Sequence, residues 1–106
     1  MRTMLTFEFP LEPYNSFIRD GTLSDKLNSV IDHIQPESIY FHTPGGSRGG
    51  FLVVDIPDAS KIPSVAEPLF LIFNARVEMQ ACMTMEDLKM AGLREIGGAW
   101  NVAGWG

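Results

Sequence analysis

The chain has few of the residues that form covalent cross-links or metal sites. Cys82 is its only cysteine, so an intrachain disulfide is impossible and the paired cysteines of a zinc finger are absent. The two histidines, His33 and His42, have no carboxylate at coordinating spacing. We therefore expect no bound metal, and we expect Cys82 to be a buried or interfacial thiol.

Long apolar runs are also missing. The longest, Leu69 to Phe73, is far shorter than the ~18 to 20 residues of a membrane-spanning helix. Residues 3–9 alternate apolar and polar side chains, which is typical of a strand and not of the apolar segment of a signal peptide. These features predict a soluble, cytoplasmic protein without a membrane partner.

Positive charge is scarce. Eight Lys and Arg residues stand against 13 Asp and Glu residues, which gives a formal net charge of -5 at pH 7, and the sequence pI is about 4.8. No two basic residues are adjacent in the sequence. This composition disfavours a nucleic acid or an anionic membrane surface as partner.

What the chain does contain is a regular succession of strand and helix patterns. Its 106 residues suffice for one core, so we expect a single domain at residues 1–92 followed by a tail at 93–106 that is docked or disordered. The predicted elements are a strand at 3–9, a helical stripe from Phe17 to Ile34, a strand at 38–42, a glycine-rich hairpin loop at 43–50, a strand at 51–54, a helix at 58–73 kinked at Pro68, a strand at 75–83 and a short helix at 84–91.

Local signals refine the helices. Residues 20–22 interrupt the first stripe, which predicts a kink or two helices in series, and Thr22 with Asp25 resembles a capped start. Thr84 and Asp87 are expected to cap the last helix, with Leu88 as its main apolar anchor. The second helix is expected to bury one stripe, made of Ile62, Val65, Ala66, Leu69, Phe70 and Phe73.

The predicted strand Phe51 to Val54 is apolar on both of its faces. A strand of this kind needs a cover on each side of its sheet. Two helices can cover one side only, so the other side is expected to meet a second copy of the chain. We predict a homodimer that buries more than ~1,200 Å² in total, within the range of specific interfaces.

The order of elements indicates an α+β fold with the ferredoxin-like βαββαβ arrangement. With its extra short C-terminal helix, the chain resembles the dimeric α+β barrel superfamily over about residues 1–92, and within it small bacterial families of unknown function. The resemblance implies that two sheets face each other around a space for a small ligand. Other members include monooxygenases of the antibiotic-biosynthesis type, muconolactone isomerase-like enzymes and stress-responsive proteins, but no catalytic signature of theirs matches this chain.

The strand patterns place a set of polar side chains on the sheet face away from the helices. This face is expected to carry Thr6, Glu8, Ser38, Tyr40, His42, Arg76, Glu78, Gln80 and Cys82. Such a mixed surface above an apolar floor is typical of small-molecule pockets. The alternative is that Glu8, Arg76 and Glu78 pair only with each other or across a dimer interface.

Within this set, His42 and Tyr40 are the candidate catalytic residues, because an imidazole moves protons near neutral pH and the phenol lies on the same face. Glu8, Arg76, Glu78 and the loop residue Arg48 are the candidate ligand-binding residues. His33, near a helix end, is expected to be a surface residue. The glycine-rich loop lacks the Gly-Lys-Ser/Thr ending and the following helix of a phosphate-binding loop, and no cofactor motif is present.

Together these features predict a homodimeric small-molecule-binding protein of open specificity, with an isomerase or a cofactor-independent oxygenase as the candidate activities. The alternative is a homodimer with a structural or regulatory role and no catalysis. Trp100 and Trp105 lie in a glycine-rich stretch that cannot build its own core. We therefore expect the tail to lie across the dimer, with a disordered end as the alternative.

Overall fold

The computed structural model describes residues 1–101, which form an α+β fold with one four-stranded antiparallel sheet in the order β2-β3-β1-β4. The described elements are β1 (Arg2–Phe9), α1 (Tyr14–Asp20), α2 (Leu23–Ile34), β2 (Ser38–His42), β3 (Arg48–Asp55), α3 (Ile62–Phe73), β4 (Arg76–Ala81), α4 (Met85–Met90) and α5 (Leu93–Ala99). The α+β prediction is confirmed. None of the helices in this part of the chain is long and apolar enough to cross a membrane.

The core lies between one face of the sheet and helices α2 and α3. Leu5, Phe7 and Phe9 of β1 are almost fully buried, as their alternation with polar residues predicts. Phe73 at the end of α3 packs on Phe9 with ring centroids 4.9 Å apart. All of these side chains belong to one apolar cluster, so the helices cover a single face of the sheet.

The first helical stripe is divided into two helices in series, one of the two predicted outcomes. Gly21, with a φ of 77°, ends α1, and Thr22 occupies the position before α2. The expected cap from the Thr22 side chain is wrong, however. Its hydroxyl donates instead to Asp20 Oδ1 at 2.6 Å. The same oxygen accepts from the Thr22 backbone N–H at 2.9 Å, which places the carboxylate beside the hydroxyl.

Helix α3 buries a narrower stripe than the sequence predicts. Val65, Leu69 and Phe73 are buried, whereas Ile62 remains 41% exposed and Phe70 39% exposed. The sheet covers only the centre of the stripe, so side chains on its flanks keep access to water. Pro68 lies inside the helix, and Asn74 ends it in the left-handed region with a φ of 53°.

The hairpin loop is shorter than expected, because β3 already begins at Arg48. Gly45 and Gly46 have φ values of 59° and 85°, which confirms the predicted positive angles. Gly50, expected in the loop, pairs with Phe7 in the sheet. A Cβ at Gly50 would lie 2.7 Å from Phe7 Cζ, so the absent side chain makes room for the Phe7 ring.

The C-terminal arm, defined here as residues 83–101, follows β4. Its first helix has the predicted cap: Asp87 N–H donates to Thr84 Oγ1 at 3.1 Å, and Thr84 N–H donates to Asp87 Oδ2 at 2.8 Å. Helix α5 was not predicted from the sequence, and it begins after Gly92, which has a φ of 73°. Trp105 and the rest of the predicted tail after residue 101 lie outside the described residues.

Candidate functional site

The candidate site lies on the open face, defined here as the sheet face opposite α2 and α3. Strand register places its side chains in three rows that run across the sheet. The rows are Ser38, Val53, Met4 and Gln80; Tyr40, Phe51, Thr6 and Glu78; and His42, Gly49, Glu8 and Arg76. This register confirms the predicted placement of these polar side chains on one face.

Aromatic side chains occupy the β2 side of the open face. The rings of Tyr40 and Phe51 stack with centroids 5.5 Å apart and an interplanar angle of 29°. The His42 ring lies 5.7 Å from the same Phe51 ring. Phe51 thus forms a floor between the two candidate catalytic side chains, which suits contact with a flat apolar ligand.

His42 and Tyr40 are not yet arranged as a catalytic pair. Both side chains are exposed, and their described contacts are with the Phe51 ring. A general base usually needs a second group that fixes its tautomer and orientation. Among the described residues, no such group contacts the pair, and in the proposal below a ligand or a second copy supplies it.

Charged side chains occupy the β4 side of the open face. Arg76 Nη2 donates to Glu78 Oε1 at 3.3 Å, and both side chains are largely exposed, so the pair contributes little to stability. A shallow groove of about 230 Å³ lies between strands β1 and β4 and the hairpin loop. It is lined by Thr6, Glu8, Pro44, Arg76 and Glu78. Three of the four predicted ligand-binding residues therefore share one groove.

Arg48 is on the opposite side of the sheet from these groups. Its position in the register pairs it with Phe9 of the buried face. Its guanidinium donates to Asn15 Oδ1 at 2.6 Å and lies 4.6 Å from the centre of the Tyr14 ring. These contacts hold Arg48 against α1, away from Tyr40.

Arg48 still reaches one shared surface at the end of the sheet. A cleft of about 480 Å³ opens where β1 ends and β4 begins, and it is lined by Arg48, Arg76 and Glu8 together with Asn74 and the hairpin loop. Two guanidinium groups beside one carboxylate favour ligands that carry negative charge at one end. This cleft is the place where the predicted binding residues from both faces come closest together.

A second cleft at the other end of the sheet was missed by sequence reasoning. This apolar cleft has a volume of about 340 Å³ and is lined by Met1, Thr3, Ile56, Pro57, Asp58, Ala59, Ile62, Met79, Gln80 and Ala81. Its only signal in the sequence is the spacing of Ile56 and Ile62 around Pro57. The sequence predicts that Ile62 belongs to the buried stripe of the second helix, whereas Ile62 lines this cleft and is 41% exposed.

The other titratable candidates have structural contacts. His33 Nε2 lies 2.9 Å from the carbonyl oxygen of Ser64, so this histidine links α2 to α3. Cys82 is half-buried where β4 leads into the C-terminal arm. Within residues 1–101, no three His, Cys, Asp or Glu side chains are grouped closely enough to hold a metal ion.

Three of the four shifted pKa values among the described residues lie outside the open face, whereas the fourth belongs to Arg2 at the start of β1, whose pKa is raised by a hydrogen bond to Glu37. Hydrogen bonds from Thr84 lower the pKa of Asp87, and those from Thr22 lower the pKa of Asp20. Ser16 lowers the pKa of Glu12 in the same way. These three shifts belong to caps and turns and therefore do not mark a catalytic group.

Comparison with known proteins adds no assignment. No protein-family model matches the chain, and no curated protein matches it either.

Proposed function

We propose that the protein is a homodimer with a ferredoxin-like fold, in which two open faces meet as in a dimeric α+β barrel and enclose a small organic ligand. The strand order β2-β3-β1-β4 with antiparallel neighbours supports the ferredoxin-like arrangement, because it is the order that a split βαββαβ chain produces. The helices on one face of the sheet leave the other free for a partner.

The observation that carries the proposal is the apolar centre of the open face. Met4, Phe51 and Val53 lie side by side there, and each is only partly buried in the single chain. Polar side chains flank this centre on both edges. An apolar middle with a polar rim is the usual composition of a protein interface and also of a small-molecule pocket.

In this proposal, the ligand lies between the aromatic side chains of Tyr40 and Phe51 and the groove lined by Glu8, Arg76 and Glu78. Phe51 and Tyr40 provide flat contact surfaces, Arg76 binds an anionic group, and Glu8 and Glu78 accept hydrogen bonds from ligand hydroxyl groups. Arg48 reaches the ligand only at the cleft at the end of the sheet. The proposed enzymatic version is an isomerase or a cofactor-independent oxygenase, with His42 as the proton acceptor and Tyr40 as a hydrogen-bond donor to ligand oxygen.

Thermal-shift and calorimetric screening with small aromatic carboxylates tests the ligand proposal. We expect a member of this class to raise the melting temperature, and we expect Arg76→Ala and His42→Ala to weaken its binding at least about tenfold, which is about 1.4 kcal/mol. Lys61→Ala is the matched control, since Lys61 is exposed on the helical side. A dimer that binds no compound of this class, or that binds equally well after both substitutions, would favour the structural alternative.

A further inference from the structure

The C-terminal arm has an apolar stripe that remains largely exposed to solvent. Leu93, Ile96 and Trp100 stand at three- and four-residue spacing along one side of α5, and they are 58%, 48% and 79% exposed. A helix of seven residues is unstable in water without a surface to pack on. The stripe therefore needs a partner surface.

The shape of the molecule shows that this surface is not the arm's own domain. The radius of gyration is 18.7 Å, whereas a compact chain of this size has a value of about 13 Å. The molecule extends 65 Å along its longest axis but only 29 Å and 21 Å along the others. The arm accounts for this elongation, since the sheet and its three packed helices form one cluster without it.

The apolar cleft has the complementary surface. Ile56, Ile62 and Met79 line it. Ile56 is buried, whereas Ile62 and Met79 remain partly open to solvent. The cleft also contains Ala81, the last residue of β4, from which the arm departs. One chain therefore carries an apolar stripe and, at the base of the same arm, an apolar cleft with no occupant among the described residues.

We propose that the arm of one copy docks its Leu93, Ile96 and Trp100 stripe in the apolar cleft of a second copy, and that the second copy returns the contact. This arm exchange rests on the homodimer proposed above. It adds to that dimer a second contact, in which the arm of each copy fills the apolar cleft of the other. A two-fold axis that passes near the two Ala81 positions carries each arm to the other copy's cleft, because cleft and arm base are adjacent. Gln80 belongs to both the cleft and the open face, so the two contact regions are continuous.

The arm is long enough to extend along a cleft of this size. From Met85 to Ala99, helices α4 and α5 together provide a reach of about 20 Å at 1.5 Å per residue. In a two-fold dimer each contact occurs twice. A dimer held by this contact alone would need to bury about 1,200 Å² in total, the lower bound of specific interfaces, and the open-face contact proposed above adds to the area that the arm and cleft bury.

Cysteine cross-linking of the full chain tests the exchange. In a Cys82→Ser background, one chain carries Ile96→Cys and a second, differently tagged chain carries Ala59→Cys in the cleft. We expect the mixed chains to form a heterodimeric cross-link under mild oxidation. The matched control replaces Ala59→Cys with Ser16→Cys, an exposed site on α1, and should give at most a tenth of that product.

A single chain with both Ile96→Cys and Ala59→Cys separates exchange from folding back. A cross-link within one chain, together with no heterodimeric product in the mixture, would overturn the proposal in favour of an arm that covers its own cleft. Absence of both products would also overturn it.

The dependence of dimerisation on the arm distinguishes this proposal from that of the open-face dimer. We expect Ile96→Asp to weaken the dimer at least about thirtyfold. Arg94 lies on another side of α5, outside the stripe, so Arg94→Asp should change the affinity less than about threefold. If Ile96→Asp has no effect while Phe51→Asp dissociates the dimer, the arm exchange fails and the open-face dimer stands. If neither variant affects a stable dimer, both proposals fail.

Discussion

The two faces of the same sheet differ in how they are covered. On the inner face, Leu5 and Phe7 are almost fully buried under α2 and α3, and Thr3 is buried with them. On the open face, the neighbouring residues Met4, Thr6 and Glu8 of the same strand are all partly exposed. One strand therefore completes its inner packing within a single chain and leaves its outer face partly open, which is the arrangement that the proposed dimer requires.

The largest expected effect comes from emptying the inner face. Leu69→Ala removes a buried side chain of α3 and should lower the free energy of unfolding by ~2 to 5 kcal/mol. Phe70→Ala, although next in sequence, should cost clearly less, because Phe70 is partly exposed. Urea denaturation at equilibrium measures both values. Equal losses for the two variants would contradict the assignment of the inner stripe.

A charge on the open face should act on association instead of folding. We expect Phe51→Asp to raise the dimer dissociation constant at least about a hundredfold, which is about 2.7 kcal/mol, because a carboxylate would be placed in the apolar centre of the interface. Leu71→Asp is the control, since Leu71 is exposed on α3. Analytical ultracentrifugation across a concentration series measures the constant. A dimer as strong as that of the parent chain would place the interface elsewhere.

The close contact at Gly50 offers a smaller test of inner packing. Gly50→Ala adds a methyl group only 2.7 Å from Phe7 Cζ and closer still to the carbonyl oxygen of Tyr40. Overpacking of this kind should destabilise the fold by ~1 to 3 kcal/mol. Gly98→Ala adds the same group in open space on α5, where it should be neutral or slightly stabilising. Thermal unfolding that ranks the two variants in the reverse order would contradict the packing.

The smallest expected effect concerns Asp87 in the arm, outside both faces. Hydrogen bonds from Thr84 lower the pKa of Asp87 in the folded state. Since the folded pKa lies below the unfolded value, the cap stabilises α4 above the unfolded pKa, and this contribution is lost as the pH falls through the folded pKa. An NMR titration of the Asp87 carboxyl carbon should therefore show a midpoint below that of an ordinary aspartate.

Thr84→Ala provides the control for that titration. Without the threonine hydroxyl, the Asp87 midpoint should move upward, while Asp20, whose pKa is lowered by Thr22, should keep its own midpoint. The change should be partial, because the backbone N–H of residue 84 still donates to the Asp87 carboxylate. An Asp87 midpoint at the ordinary aspartate value in the parent chain would mean that the cap does not form in solution.

The strand faces could be predicted from the sequence, because successive side chains of a strand point to opposite faces whatever the tertiary structure. The alternation around Phe7 and the polar set around His42 both fall on the predicted faces. Phe70 was misplaced, since helical spacing gives the direction of a stripe but not the width that a narrow sheet can cover. Arg48 was assigned to a loop because glycines usually end strands, whereas Gly49 and Gly50 here allow close packing inside one.

The arm and its cleft could not be derived in the same way. Helix α5 contains Gly97 and Gly98, which are poor helix formers, and these glycines obscure the helical spacing of Leu93, Ile96 and Trp100. The apolar cleft brings together residues that are far apart in the sequence, such as Met1 and Ala81. They become neighbours only through the register between β1 and β4. Propensity and local periodicity carry no information about such distant contacts.

The proposed dimer makes the open face an interface between two copies of the chain. Sedimentation velocity of the full chain at micromolar concentration tests it most directly. The monomer has a mass of 11.8 kDa, and we predict a single species of about twice that mass whose dimer fraction falls on Phe51→Asp substitution. A species with the mass of one chain at that concentration would contradict the claim.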